Sequence, residues 1–289
     1  MNSNYYITPF VFILISSLLT PNIFAEETSL SWQQINTDGF GDPDNIAVRG
    51  MAIFQDNLVV GMDNINFTYC MDDVIKESLE NYTFPSTNEM YRRLESNGCE
   101  LWSFNGMSWT QLIGSQPEAS LPSGFGNTYA LSCSSLIVFN EYLYAGLWNH
   151  KDGCEIWRTP DLVYWEQVVD TGFDDPTNTA VWIAEVFNGY LYVGTMNFDK
   201  GCEVYRSLDG VTWEAVIGGD ASIGNGVGMG AMNYYAWSME VYKNTLYLGT
   251  GNANGCELWK TSDGISWEPL LPMEVGYKHG CTRLWLLAD

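Results

Sequence analysis

GCEVYRSLDGVTW, at residues 201–213, decides the fold because the chain repeats it. Related segments lie at 98–109 (GCELWSFNGMSW), 153–165 (GCEIWRTPDLVYW) and 255–267 (GCELWKTSDGISW). Successive copies begin 48 to 55 residues apart. A repeat of this length, built from strands and turns, is typical of a β-propeller.

One repeat, residues 179–217, predicts four short strands. The apolar run TAVWIAEVF is followed by the turn pair Asn188-Gly189, a second run YLYVGTM, the GCEVYRS segment and, after Asp209-Gly210, the run VTWEAVI. Asn-Gly and Asp-Gly between such runs are strong hairpin signals. A four-stranded antiparallel unit is one propeller blade. The predicted blades span about 47–113, 130–169, 179–217 and 235–271.

The ends of the chain and one long loop complete this prediction. SLSWQQI (29–35) resembles a fourth strand, and TRLWLLAD (282–289) resembles a first strand. We therefore expect an all-β propeller of at least four blades plus a partial fifth, incomplete at the C-terminus. Blade 1 carries an insertion at 65–97, where MDDVIKESLENY (71–82) has apolar residues at helical spacing. The insertion is accordingly predicted to be helical.

Residues 1–25 are predicted to be a signal peptide, and residues 26–289 the propeller. An apolar run ends in Ile23-Phe24-Ala25 before two glutamates, and it is short for a membrane span. The expected location is therefore secreted, periplasmic or cell-surface. A membrane anchor is the alternative.

The net charge of −23 narrows the classes of partner. Only 12 of the 289 residues are Lys or Arg. Such a surface repels nucleic acid and anionic lipid. The expected partner is a protein or a glycan, with no nucleic acid and no membrane contact beyond the signal peptide.

The seven cysteines are predicted to be mainly packing residues. Four of them, Cys99, Cys154, Cys202 and Cys256, fill the same position in successive repeats. Equivalent positions of neighbouring blades are too far apart to be bridged. Cys70, Cys133 and Cys281 are the other candidates, so at most one disulfide is expected.

The inter-blade linkers offer a binding surface. GFGDPDN (39–45) and GFDDPTN (172–178) are near copies, and they should emerge on the same face as the insertion. Loops of this kind carry function. Their carboxylates can bind Ca²⁺, but they lack the spacing of a calcium loop, and turn formation explains them equally well. The candidate residues are Asp42, Asp44, Asp174 and Asp175.

SLDGVTW (207–213) and TSDGISW (261–267) resemble the Asp-box of sialidase-like and sortilin-type propellers, and the wider repeat resembles exported BNR-repeat-like propellers. RTPDLVYW (158–165) keeps the Asp and the Trp but lacks the Gly, and SFNGMSW (103–109) has Asn in place of Asp. The resemblance implies a structural turn, away from any catalytic centre. The implied structural residues are Asp161, Asp209, Asp263, Trp165, Trp213 and Trp267.

Weak catalytic candidates lie on the predicted innermost strands. Glu185 and Glu240 share one position in blades 3 and 4, where paired carboxylates can act as general acid and base. Binding backbone or water in the channel wall is the simpler role. Arg49 and Arg283 can converge near the axis, although the arginine motif of sialidases is absent. Glu100, Glu155, Glu203 and Glu257 recur in every repeat, which points to a role in the fold.

Three further tryptophans, Trp148, Trp182 and Trp237, can stack on sugar rings or simply fill the wall of the funnel. With no catalytic constellation in view, the sequence favours an exported, non-catalytic recognition propeller that binds a protein or glycan through the linker and insertion face. One alternative is a glycoside hydrolase, sialidase-like, using acidic residues near the axis. The other is a structural repeat domain of a larger protein. The sequence predicts no cofactor and assigns no metal site beyond the Ca²⁺ considered for the linkers.

Overall fold

The computed structural model describes residues 32–66, 94, 96–218, 229–252 and 254–270. The predicted signal peptide, the helix at 71–82, the partial blade at 282–289 and the candidate Arg283 lie outside these residues. The chain divides into two compact units at residue 35. In the first, residues 32–35 belong to no strand, so the fourth strand predicted at 29–35 is wrong over its described part.

The second compact unit is built from antiparallel strands, which form four consecutive meanders, called units 1 to 4 below. Unit 1 contains β1 (Asn45–Phe54), β2 (Asn57–Asn64), β3 (Leu101–Phe104) and β4 (Trp109–Ile113). Unit 2 contains β5 (Ala130–Phe139), β6 (Tyr142–Asn149), β7 (Ile156–Thr159) and β8 (Glu166–Val169). Unit 3 contains β9 (Ala180–Phe187), β10 (Tyr190–Met196), β11 (Val204–Ser207) and β12 (Glu214–Ile217). Unit 4 contains β13 (Asn233–Tyr242), β14 (Thr245–Asn252), β15 (Leu258–Thr261) and β16 (Glu268–Pro269). The predicted all-β, antiparallel architecture is confirmed.

Two-residue turns join the first two strands of every unit. Their central residues lie in the left-handed region, as in Asn188 (φ 50°) and Gly189 (φ 78°) or Lys243 (φ 49°) and Asn244 (φ 58°). These are the backbone angles that match the twist of a tight hairpin. Turns of this kind set the register of the first hairpin in each unit, and the Asn188-Gly189 turn is the one predicted above from the sequence.

Neighbouring units are linked where a second strand touches the next first strand. Single pairs join β2 to β5 (Asp63 opposite Ser132), β6 to β9 (Trp148 opposite Ala180) and β10 to β13 (Met196 opposite Tyr235). As a result, the first strands β1, β5, β9 and β13 lie side by side. Side chains from all four units can therefore meet at this end of the strands.

Apolar cores fill the spaces between units. Cys99, Cys154 and Cys202 are buried within these cores, as the repeat predicted, and Cys256 is half-buried. Cys133, one of the candidates for a disulfide, is also buried as a free thiol. Burial raises the pKa of the Cys202 thiol to about 12. Cys70 and Cys281 lie outside the described residues. No helix in the described part of the chain is long and apolar enough to cross a membrane.

Single helical turns close the linkers, at Asp38–Gly41, Ser123–Gly126 and Thr171–Asp174. Each carries a phenylalanine with positive φ, whose ring packs on the aromatic residue of a third strand. Phe173 stacks on Tyr205 with ring centroids 3.9 Å apart, and Phe125 stacks on Trp157 at 5.0 Å. The repeated Gly-Phe dipeptide thus anchors the linker to the strands that follow.

The segments that resemble Asp-boxes form turns held by a carboxylate. Asp209 accepts the N–H groups of Val211 (2.8 Å) and Thr212 (2.7 Å), and Asp161 and Asp263 do the same in their units. In unit 1 the amide oxygen of Asn105 takes this place. Of the tryptophans, Trp165 and Trp267 are buried and Trp213 is half-buried. The three aspartates therefore hold their turns, while the resemblance to the Asp-box stays a prediction.

Candidate functional site

Every first strand contains a β-bulge at the same place. The unpaired residues are Arg49 in β1, Ser134 in β5, Trp182 in β9 and Trp237 in β13. A bulge adds one residue to a strand and changes the direction of its side chain. The four bulged residues therefore occupy equivalent positions in the four units, although their side chains differ chemically.

Trp182 is the centre of the group that results. The guanidinium carbon of Arg49, from unit 1, lies 4.1 Å from the centroid of the Trp182 ring. Trp237 and Tyr235 of unit 4 lie at 5.1 Å, and Trp148 of unit 2 at 6.0 Å. Arg49, a catalytic candidate from the sequence, is thus brought beside the three tryptophans that the sequence offered as sugar-stacking residues.

The burial of these rings differs. Trp148 is buried, whereas Trp182 and Trp237 are half-buried. Arg49 covers one face of Trp182, and a guanidinium in this position is held by the negative face of the ring. Trp148 is therefore part of the wall, while Trp237 and Tyr235 keep surface that a ligand can reach.

Asp63 joins this group, and the sequence analysis missed it. Its carboxylate accepts a hydrogen bond from the Ser132 hydroxyl and lies 3.9 Å from Arg49 Nη1. Burial raises the pKa of Asp63, against the effects of Ser132 and Arg49. The sequence did hold a signal. The position of Asp63 in the second strand is not acidic in the other three units, which have Trp148, Met196 and Gly251 there.

The two glutamates predicted as a pair occupy the same register. Glu185 lies opposite Tyr192, and Glu240 lies opposite Tyr247, on first strands that are neighbours. Both are half-buried. The pKa of Glu185 is raised, first by burial and further by the charge of Glu240, although its carboxylate also accepts the N–H of Val186 at 2.8 Å.

Glu185 and Glu240 share a second feature, since each follows a bulged tryptophan by three residues. The segments are Trp-Ile-Ala-Glu (182–185) and Trp-Ser-Met-Glu (237–240). Units 1 and 2 have Ala52 and Ile137 at the corresponding position, counted from their bulges. The carboxylates are therefore a property of units 3 and 4 and are not required by the repeat.

The glutamates that occur in every unit have a different role. Glu203 accepts hydrogen bonds from Asn178 Nδ2 (2.7 Å) and from the Tyr205 hydroxyl (2.6 Å). Glu100, Glu155 and Glu257 accept corresponding bonds from a linker asparagine and a tryptophan indole. These carboxylates tie each linker to its unit, as expected of a residue that the fold repeats.

The acidic linker residues also bond within their own turns. Asp42 accepts the N–H of Asp44 and the amide of Asn64, and Asp175 accepts the N–H of Thr177 and an ion pair from Lys200 at 2.6 Å. Asp174 is exposed and has a positive φ of 65°. Among the residues that the structure describes, no three His, Cys, Asp or Glu side chains are placed to hold a metal ion. The oxygens of Asp42 and Asp175 thus stabilise turns, and the binding face predicted from the four aspartates stays a prediction, because most of the insertion lies outside the described residues.

Arg158 and Arg206 are likewise committed. Arg158 pairs with Glu166 at 2.7 Å and lies over the Tyr142 ring, and Arg206 pairs with Glu214 and lies over Tyr190. Arg49 is thus the arginine that the described residues place beside the half-buried tryptophans. The arginine cluster of a sialidase is not assembled among them.

No protein-family model matches the chain, and no curated protein matches it. Similar solved structures include an α-L-arabinofuranosidase from Clostridium thermocellum, with 12% identity over 81% of this chain and 75% of that one and a TM-score of 0.41. A putative glycosidase from Bacteroides thetaiotaomicron has 10% identity, coverages of 76% and 71% and a TM-score of 0.43. A family 117 glycoside hydrolase from Zobellia galactanivorans has 12% identity, coverages of 81% and 71% and a TM-score of 0.40.

This finding corrects one expectation from the sequence. The similar structures named above are glycosidases, which runs against the expectation of a non-catalytic recognition propeller. For this chain the glycoside hydrolase alternative is a proposal. Similarity at this level assigns no residue.

Proposed function

We propose that this protein is a glycoside hydrolase whose catalytic carboxyl groups are Glu185 and Glu240. The observation that carries this proposal is the paired Trp-x-x-Glu segment on the neighbouring strands β9 and β13. The two tryptophan rings lie 5.1 Å apart, and the two glutamates share one register position three residues further on. Two carboxyl groups beside the scissile bond are the usual requirement of glycoside hydrolysis.

The environments of the two carboxyls suit different roles. Burial and the charge of Glu240 both raise the pKa of Glu185, which favours its protonated form. A carboxyl held protonated can donate its proton to the leaving-group oxygen. We assign Glu185 as the general acid, and Glu240 as the carboxylate that stabilises the oxocarbenium-like transition state and either attacks the sugar or activates water.

The surrounding side chains suit a sugar. Trp237 and Tyr235 are half-buried rings, and sugar rings pack well against aromatic faces whose edges carry polar groups. Arg49 is partly exposed and lies 3.9 Å from Asp63, beyond a normal hydrogen bond, so its N–H groups can donate to sugar hydroxyls. The predicted partner is therefore a glycan.

The test is a panel of aryl glycosides covering neutral pentoses, neutral hexoses, uronic acids and sialic acid. We expect turnover of at least one substrate by the wild type and its loss in Glu185→Gln and Glu240→Gln. Glu118→Gln is the matched control, since Glu118 is an exposed residue of the β4–β5 loop. Turnover that survives in both Glu185→Gln and Glu240→Gln contradicts the proposal.

We propose further that units 1 to 4 are consecutive blades and that another blade covers the outer flank of β1. Met51 and Ile53, on one face of that strand, are 60% and 68% exposed, and Ile46 and Val48 are also exposed. Exposed apolar strands of this kind usually mark contact surfaces. If another blade covers the flank, Met51→Asp costs well over about 1 kcal/mol of unfolding free energy, whereas a truly exposed site changes by about 0.5 kcal/mol or less.

The Asp-box relationship, the helical insertion and the exported location remain proposals. The turn bonds of Asp209 and Asp263 support the first. The helical spacing of apolar residues at 71–82 supports the second, and the apolar segment before Glu26 supports the third. Determination of the N-terminal sequence of the protein recovered from its native host tests the location. A mature terminus near Glu26 is expected, and an intact Met1 contradicts it.

A further inference from the structure

The first residue of the second strand is a tyrosine in units 2 and 3 and a smaller residue, Thr245, in unit 4. Tyr142 and Tyr190 begin the second strands of units 2 and 3, and their rings lie 4.4 Å from the guanidinium carbons of Arg158 and Arg206. Each arginine also pairs with a fourth-strand glutamate, Glu166 or Glu214. Ring, guanidinium and carboxylate form one stack in both units.

Unit 4 keeps the charges of this stack but not its ring. By register, Thr245 corresponds to the tyrosines, Lys260 to the arginines and Glu268 to the glutamates. Lys260 Nζ lies 3.1 Å from Glu268. Replacing a tyrosine by threonine and an arginine by lysine removes a phenol ring and the planar group on which it rests.

A cavity of about 290 Å³ occupies this part of unit 4. Its lining is mostly polar and opens to solvent, because Ser262, Asp263, Ser266 and Glu268 are exposed, and the aromatic member Trp267 is itself largely buried beneath it. Six of the lining residues are Thr245, Lys260, Ser262, Ser266, Trp267 and Glu268. Ligand pockets for drug-sized molecules begin at about 300 Å³, so this cavity is of the size for a single substituted ring.

The lining indicates which ring. An aromatic side chain of a protein partner would take the hydroxyl and ammonium groups out of water without replacing their hydrogen bonds. A pyranose satisfies donors and acceptors on its whole perimeter. An anionic sugar is disfavoured, because Glu268 already pairs with Lys260 and Asp263 adds a second carboxylate to the lining. Neutral sugars avoid both costs.

We propose that the cavity between Thr245 and Trp267 is a binding site for one neutral pyranose residue, separate from the catalytic carboxyls. Lys260, Glu268 and Ser262 provide hydrogen bonds, and the carboxylate of Asp263 stays engaged with the N–H groups of Ile265 and Ser266. The site goes beyond the proposed hydrolysis, because nothing in it depends on Glu185 or Glu240.

The molecule itself suggests the decisive variant. Thr245→Tyr with Lys260→Arg rebuilds the stack of units 2 and 3 inside unit 4, so the double variant is expected to fold and to lose the cavity. Binding of methyl glycosides of glucose, galactose, mannose and xylose is measured by ¹H–¹⁵N chemical-shift titration. At least one should bind the wild type saturably, with shifts at Lys260 and Trp267, and the double variant should bind it roughly tenfold or more weakly.

Two further variants separate this site from the proposed function. Glu185→Gln/Glu240→Gln should bind the same glycoside at the cavity with unchanged affinity while losing any hydrolysis. Ser262→Ala removes a hydroxyl assigned to the sugar and leaves the stack unbuilt, so it should weaken binding. Saturable binding by none of the four glycosides, or equal binding by the wild type and the double variant, overturns the proposal whatever the outcome for hydrolysis.

Discussion

The hydroxyl of Tyr192 in unit 3 donates a hydrogen bond to the carbonyl oxygen of Gly264 in unit 4 over 3.2 Å. The Tyr144 hydroxyl of unit 2 lies equally close to Gly210 of unit 3, since an added Cβ there would meet it. Between units 1 and 2 the pair is Val59 and Leu162, which share one apolar cluster. The size of the second-strand residue thus matches that of the turn residue in the next unit. A tyrosine faces a glycine, and a valine faces a leucine.

This relationship predicts a steric cost at Gly264. Its φ is +76°, and a Cβ there would overlap the Tyr192 hydroxyl. We expect Gly264→Ala to lower the unfolding free energy by about 2 kcal/mol or more, through backbone strain and overpacking together. Gly189→Ala is the matched control, because Gly189 has φ +78° and open space around it. It should cost about 1 kcal/mol.

Chemical denaturation in urea measures both variants. Adding Tyr192→Phe to Gly264→Ala should recover part of the loss, since it removes the hydroxyl that the new methyl meets and keeps the buried ring. Equal costs for the two alanine variants would mean that the contact between units contributes nothing at this position.

Asp263 predicts a dependence of stability on acid. Its carboxylate accepts two turn N–H groups, which lower its pKa from 3.8 to about 2 despite the opposing effect of burial. A folded-state pKa below the unfolded value stabilises the fold above about pH 4, and this contribution is lost as the pH falls towards 2. Asp263→Asn should flatten the acid limb of the stability curve.

Asn105 shows that the exchange is tolerated, because its amide oxygen already accepts the same two bonds in unit 1. Stability of the two proteins is compared by urea denaturation between pH 2 and pH 6. If stability falls with acid as steeply in Asp263→Asn as in the wild type, the prediction is contradicted, because protonation of Asp263 then contributes nothing to that fall.

Asp63 predicts the opposite sign. Burial raises its pKa above 3.8, so the folded state holds the proton more tightly than the unfolded state. Its contribution to stability is therefore greatest below the unfolded pKa and declines as the pH rises towards the raised folded value. Asp63→Asn cannot titrate, so the wild type should lose stability relative to it over this range. A difference that stays constant with pH contradicts the assignment.

The repeat made most of the fold predictable. Gly-Cys-Glu, Leu-Tyr and the Asn-Gly or Asp-Gly turns are local signals, and they place strands and hairpins without knowledge of tertiary contacts. The contact between Arg49 and Trp182 was not predictable in this way. It joins units 1 and 3, and it depends on bulges, which change the pairing register without a distinct sequence signal.

Asp63 shows a second limit. An acidic residue near the end of a strand usually marks a solvated turn, whereas here the neighbouring strand β5 supplies Ser132 to bond it. The linker aspartates show the converse case. The sequence offered Asp42 and Asp175 as ligands for a partner and did not reveal that their carboxylates accept bonds from nearby N–H and amide groups.

The proposed catalytic pair predicts a shift in the pH dependence of activity. The charge of Glu240 helps to keep the pKa of Glu185 raised. Removing that charge in Glu240→Gln should lower the pKa of Glu185, so the alkaline limb of residual kcat/KM should move to lower pH. The measurement is the pH–rate profile on the best substrate of the panel, with Glu118→Gln as the control. A limb that does not move, or that moves to higher pH, would contradict the coupling.

The central claim is that Glu185 donates a proton to the departing sugar oxygen. The most direct test compares kcat/KM of Glu185→Gln with that of the wild type on two glycosides of the same sugar, one with a dinitrophenolate leaving group and one with an alkyl alcohol. A general acid contributes about 10²- to 10⁴-fold when the leaving group needs protonation. We predict a loss of that order for the alkyl glycoside and a much smaller loss for the dinitrophenyl glycoside. Equal losses on both substrates, or no loss on either, would contradict the account.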